Sequence, residues 1–207
     1  MTFFKTLLTL FIIMTTKQLF RLPHLFLWVA ILFIAESCST KSPEPTNEQE
    51  LITKVLVNFV PVIAGNPTVT YSYSDLDGPG GNAPQIAASG SLKANISYSV
   101  SVQFLDESKT PTKTITTEVS EEAEEHQVFF VKGGTLNVSF NYSDKDKDNR
   151  PLGLLWTATT GAASTGTLRV VLKHKLDKAA TGVASGDLTN AGGDTDVDVT
   201  FNVTIAN

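Results

Sequence analysis

NISYSVSVQF, residues 95–104, is the stretch whose reading decides the fold class of this chain. Ile96, Tyr98, Val100, Val102 and Phe104 form one row, and Asn95, Ser97, Ser99, Ser101 and Gln103 form the other. A period of two with one apolar and one polar row means a strand with one face on a core and one in water, hence an antiparallel sheet. Similar runs lie on both sides of it. Upstream, LITKVLVNFVPV (51–62) and VTYSYSD (69–75) flank the turn residues Ala64-Gly65-Asn66-Pro67 and read as a hairpin. Downstream, QVFFVKGGTLNVSFNY (127–142) reads as a second hairpin about Gly133-Gly134. LGLLWT (152–157), GTLRVVLKHKL (166–176) and VDVTFNVTI (197–205) complete about eight strands. The expectation is an all-β, two-sheet antiparallel sandwich over residues 51–207, with Tyr98, Phe130, Phe140, Trp156, Leu172 and Phe201 in its core. TTEVSEEAEEH (116–126) breaks the pattern. Ile115, Val119 and Ala123 recur every four residues among acidic neighbours, which predicts one or two turns of a short acidic helix.

The lead-in LKANISYSVSV (92–102) resembles a segment of fibronectin type III and related immunoglobulin-like domains, Leu-x-Pro-x-Thr-x-Tyr-x-Val-x-Val. Leu92 and Tyr98 keep its six-residue spacing, with Ala94 and Ile96 at the usual Pro and Thr positions. The resemblance implies a sandwich of that type, in which the Tyr98 hydroxyl bonds back to the chain upstream as a tyrosine corner.

The N-terminal region has a different character. Lys17 and Arg21 precede the apolar run Leu25–Ala35, and the small residues Ala35 and Ser37 stand three and one places before the single cysteine, Cys38. A positive region, a short apolar region and a small-residue cut mark a secretory signal. A cysteine directly after the cut resembles a bacterial lipoprotein signal, which implies that the Cys38 thiol carries a diacylglycerol. Ala35 and Glu36 stand where a typical lipobox has Leu and then Ala or Ser, and Ala35-Glu36-Ser37 would also direct ordinary signal peptidase to the same bond. A free thiol at Cys38 and a retained membrane segment are the other readings, although the apolar run is shorter than the ~20 residues a span needs. The expected organisation is a signal segment at 1–37, with Met14 as an alternative start, an anchored N-terminus and flexible tether at 38–50, and the sandwich at 51–207. Ser39 after the cysteine favours the outer membrane by analogy with lipoprotein sorting.

Loss of residues 1–37 removes Lys5, Lys17, Arg21 and Glu36, and takes the net charge from −5 to −7. That balance argues against nucleic acid and anionic headgroups as partners.

The candidate chemistry lies in the acidic loops. Asp144, Asp146 and Asp148 are spaced D-x-D-x-D-N, like the opening of a calcium loop, and Asp75 and Asp77 precede Gly78 in a similar way. The Glu that closes an EF-hand at its twelfth position is replaced by Leu155, and Lys145 and Lys147 dilute the field. VTYSYSDLD (69–77) and VSFNYSDKD (138–146) also align without gaps, as two similar strands with acidic ends or as a duplicated unit. Asp194, Asp196 and Asp198 alternate and read as a solvated face. Residues 38–207 contain two histidines, His126 and His174, and no HExxH, phosphate-binding loop or G-x-S-x-G motif. This is not the inventory of an enzyme.

Residues 38–207 resemble small bacterial cell-envelope lipoproteins in the signal, the LDGPGGNAP loop, the EEHQVFF segment and the TGAASTGTL segment. Some of those chains carry a periplasmic-binding-domain label, which fits poorly because binding-protein lobes are α/β and longer. The sequence therefore points to a lipid-anchored outer-membrane sandwich acting as a non-catalytic recognition or structural module, with a protein or glycan partner met by the long loops 75–90 and 177–195. A calcium-dependent adhesion domain is one alternative. A glycan hydrolase with paired carboxylates is another.

Overall fold

The computed structural model describes residues 51–78 and 81–207, so the signal, Cys38 and the tether lie outside the described residues. Eleven strands and one helix follow in order: β1 Lys54–Pro61, β2 Val69–Ser74, β3 Gln85–Ala88, β4 Leu92–Lys93, β5 Ser97–Asp106, β6 Lys113–Thr114, α1 Ile115–Glu121, β7 His126–Gly134, β8 Val138–Tyr142, β9 Leu155–Thr160, β10 Ser164–His174 and β11 Asp194–Ala206. One sheet has the order β3-β2-β1-β5-β9-β8, with β6 added to the end of β5, and the other has the order β4-β11-β10-β7. The protein is an all-β sandwich with one short helix. The eight expected strands are all present, and the three additional ones, β3, β4 and β6, are short edge pieces of two to four residues.

Alternation fixes which face each strand buries. On β1, Val55, Val57 and Phe59 are fully buried; opposite them on β5 lie Phe104, Val102 and Val100, also buried. The facing sheet contributes Leu168, Val170 and Leu172 from β10 and Val199, Phe201 and Val203 from β11. Trp156 is an inward anchor. Its ring stacks on Phe130 at 4.4 Å, and its indole Nε1–H donates to the Gly153 carbonyl at 2.6 Å. Of the six expected core residues, Tyr98, Trp156, Leu172 and Phe201 are buried, while Phe130 and Phe140 are partly buried against the same core. The tyrosine corner is present: the Lys93 backbone N–H donates to the Tyr98 hydroxyl at 2.7 Å. The helical spacing also holds, with Ile115, Val119 and Ala123 buried on one side of α1 and the turn after it.

One pairing differs from the sequence reading. Residues 127–142 are not a hairpin: β7 pairs with β10 in the smaller sheet, whereas β8 pairs with β9 in the larger. Gly134, at φ +69, lets the chain leave one sheet and enter the other, and a Cβ there would touch Gly166. A Gly-Gly between two apolar runs signals a sharp change of direction. It does not say whether the partner strand is the next one.

β3–β2–β1–β5 and β10–β11 deliver one end of the sandwich to solvent through long connections. The connection after β2 and residues 107–112, 143–154 and 175–193 all leave from that end, whereas the opposite end carries 62–68, 89–91, 94–96, 135–137 and 161–163, none longer than seven residues. Among the described residues no helix is long and apolar enough to cross a membrane.

Candidate functional site

The loop-bearing end is held together by a buried ion pair. Lys178, in the 175–193 connection, places its ammonium 2.7 Å from the Asp146 carboxylate, with both side chains 1% exposed. The same Nζ donates to the carbonyls of Ala123 at 2.8 Å and His126 at 3.0 Å. One cation therefore ties the 143–154 loop, the turn after α1 and the start of β7 to the 175–193 connection. Burial alone would raise the Asp146 carboxyl, but Lys178 and the surrounding amides outweigh it and hold the group below the usual carboxylate range. Burial pulls Lys178 below the usual lysine range.

The 175–193 connection has a small core of its own. Phe129 and Val171, on the outer face of the smaller sheet, are covered by Leu176, Val183 and Ala191. Gln127 Nε2 donates to the Val183 carbonyl and to the Tyr142 hydroxyl, both at 2.9 Å, and that hydroxyl donates to the Val128 carbonyl at 3.0 Å. A long loop thus packs as a platform on a core of its own, leaving Thr181, Ala184, Ser185, Thr189 and Asn190 exposed.

The acidic residues singled out in the sequence take several positions. Asp144 accepts the backbone N–H groups of Gly153, Leu154 and Leu155 at 2.8–2.9 Å, while burial pushes its carboxyl upward. Asp146 Oδ1 accepts those of Asp148 and Arg150 at 3.0 and 2.8 Å. Asp148 is exposed. The D-x-D spacing here closes a loop: alternate carboxylates satisfy the amides of the return segment, and Gly153, at φ +89, lets the chain turn where a Cβ would meet the Val128 carbonyl. In the other acidic loop, Asp77 accepts both N–H groups of Asn82, and these bonds lower its carboxyl below the ordinary value. Asp75 accepts the Tyr73 hydroxyl at 3.1 Å. The two acidic loops follow β2 and β8, which β1, β5 and β9 separate in the larger sheet.

Sequence reading did not bring together a further group at this end. His126 and His174 are directly opposed on β7 and β10, and their rings stack with centroids 4.4 Å apart and planes 10° from parallel. Asp196 was expected on a solvated face, yet its side chain is 2% exposed and its Oδ2 lies 3.8 Å from His126 Nε2. The reason is a β-bulge. Leu172 opposes Val197 and Lys173 opposes Thr195, so Asp196 is the extra residue and its side chain is re-aimed inward. Asp194 and Asp198 do remain outside, the latter in a bidentate pair with Arg169 at 2.7 Å. Burial lowers His126 from the ordinary histidine value and raises Asp196, so each is pushed toward its neutral form. The one signal in the sequence is the alternation of GTLRVVLKHKL, which puts His174 in the same row as Leu168, Val170 and Leu172.

Asp196 also borders a cleft of about 370 Å³ between the two sheets, lined with Leu51, Val55, Tyr73, Asp75 and Thr195. Leu51, the first described residue, is half exposed in that lining. Compared with known proteins, the chain matches no family model, no curated protein and no solved structure.

Proposed function

We propose that this chain is a lipid-anchored cell-envelope module that recognises a partner through the loop-bearing end of its sandwich, without catalysing a reaction on it. The observation that carries the reading is the packed platform at 175–193. Lys178 and the small core under Val183 hold that connection in one shape, and its outer residues are polar or small and exposed. A long connection with its own core keeps little entropy to lose on binding, as recognition loops on a stable scaffold require. The anchoring part rests on Cys38 after the signal-like segment. Leu51 enters the sandwich at this same end, so a tether from Cys38 would keep the platform close to the membrane, and the favoured partner is a membrane-proximal protein or glycan.

Anchoring is tested by mass spectrometry of the mature N-terminus, where a diacylglyceryl-modified Cys38 is the expected species and an unmodified Cys38 would refute it. Recognition is tested by surface substitution. Ala184→Arg with Thr189→Arg should reproduce the phenotype of a deletion strain, whereas Ala163→Arg at the opposite end should not. Equal effects from both ends would leave a purely structural role as the better reading.

A further inference from the structure

The recognition reading makes no use of the stacked histidines, and their surroundings are chemically unbalanced. His126 Nδ1 lies 3.1 Å from the Glu122 carbonyl, and a carbonyl only accepts, so the proton in this bond is on Nδ1. In the neutral ring Nε2 then carries a lone pair, and it faces the Asp196 carboxylate 3.8 Å away. With no proton or cation between them, acceptor faces acceptor. Nε2 of His126, Nε2 of His174 and both oxygens of Asp196 are buried without a hydrogen-bond partner, although buried polar atoms are nearly always satisfied. His174 Nε2 in turn lies 3.4 Å from the Glu125 carboxylate. A buried cluster of imidazole nitrogens and carboxylate oxygens, with a bulge placed to aim one carboxylate inward, is complementary to a cation.

We propose that this cluster binds one divalent transition-metal ion of the zinc class. His126 and His174 supply the nitrogen ligands, Glu122 supplies a carboxylate from the solvent side, and Asp196 is the buried counter-charge. One ligand atom from each of Glu122, His126 and His174 lies within 4.8 Å of the others. In a tetrahedral zinc site with bonds of ~2.0–2.1 Å, ligand atoms stand about 3.3 Å apart, so the set must close by side-chain movement. The stacked rings have lone pairs running side by side, and one imidazole must turn about its Cβ–Cγ bond, a broad torsion for histidine. Two imidazoles with carboxylate favour zinc, nickel or copper over the all-oxygen preference of calcium and magnesium. The Nδ1–H bond of His126 to a backbone carbonyl is the outer contact that orients most metal-ligating histidines. This inference is independent of what the outer loops recognise.

The test is titration of the chelator-treated full chain with zinc chloride by calorimetry and with cobalt chloride by visible absorption. One ion per chain is expected, with the ligand-field bands of four-coordinate cobalt. His174→Gln should abolish binding, and Asp196→Asn should weaken it about 10–100-fold as a change outside the ligand set does. Glu122→Gln alters an exposed residue and should weaken binding at least tenfold without disturbing the fold. Absence of binding by the folded wild-type chain at a tenfold molar excess of metal overturns the proposal, and would leave a proton as what separates His126 from Asp196. Binding that persists unchanged in His174→Gln overturns it too. If that variant fails to fold, unchanged affinity in Glu122→Gln overturns the proposal in its place.

Discussion

Replacing Lys178 by Met keeps an unbranched apolar stem of nearly the same length and removes the ammonium group. Three contacts go with the ammonium: the 2.7 Å pair with Asp146 and the hydrogen bonds to the carbonyls of Ala123 and His126. Asp146 Oδ1 would keep its two backbone donors, but Oδ2 would face a buried space with no counter-charge. Breaking a buried pair from one side costs about 3–5 kcal/mol. Each carbonyl losing a charged donor adds to that, whereas protonation of Asp146 limits the total. A net loss of about 3–5 kcal/mol is expected, and at about 2–4 °C per kcal/mol for a domain of this size Tm should fall by roughly 6–20 °C. Urea and thermal unfolding followed by far-UV circular dichroism measure it. The double variant Lys178→Met with Asp146→Asn should recover part of the loss, since the stranded charge is gone and a double-mutant cycle isolates the coupling. A loss under about 1 kcal/mol in Lys178→Met would refute the claim that this pair organises the loop-bearing end.

Four further outcomes follow from the same structure. Trp156→Ala should cost about 3–5 kcal/mol, because the ring is 4% exposed and stacked on Phe130; denaturant unfolding gives the value directly. Tyr98→Phe removes only the hydroxyl that accepts the Lys93 N–H, so a loss of about 0.5–1.5 kcal/mol is expected by the same method. Asp146 is held below its ordinary value, so its contribution is complete above the unfolded carboxyl value of about 3.9 and is lost as the pH falls through the folded one. The Tm gap between wild type and Asp146→Asn should therefore be wide at neutral pH and shrink progressively as the pH falls below about 3.9. Millimolar calcium should leave Tm unchanged, because Lys178 occupies Asp146 and backbone amides occupy Asp144; a site at 100 times its Kd would add about 2.7 kcal/mol, visible as a rise of several degrees that Asp144→Asn with Asp146→Asn would abolish.

Most of the sandwich was legible in the sequence because alternation is a local signal. The inward rows of β5, β10 and β11 follow from period two, with Ile96 only partly buried and Val171 buried as well, on the outer face of β10 under the 175–193 connection. The tyrosine corner was legible because its partners, Lys93 and Tyr98, are five residues apart. What failed was pairing. Residues 127–142 carry two strands and a Gly-Gly, and nothing local distinguishes a hairpin from a crossing between sheets. The histidine cluster was hidden for the same reason: His126 and His174 meet only through the β7–β10 register, and a bulge reverses the direction expected for Asp196. The acidic D-x-D run was visible, but one organising partner, Lys178, lies 32 positions beyond Asp146, too far for any local pattern to join them. Sequence spacing showed where the carboxylates were and gave no account of what they held.

If the loop-bearing end, and not the sandwich as a whole, meets a partner at the envelope, contact must be confined to that end. Photo-crosslinking in intact cells measures this, from a probe placed at Ala184 on the platform and, separately, at Ala163 at the opposite end, followed by mass spectrometry of the adducts. Both positions are exposed, so neither substitution should disturb the fold. The expected result is a discrete adduct from Ala184 that is absent from Ala163 and is lost when Lys178→Met unfastens the platform. Adducts of equal yield and identity from both ends, or none from Ala184 in cells where the chain is present and folded, would contradict recognition by this end.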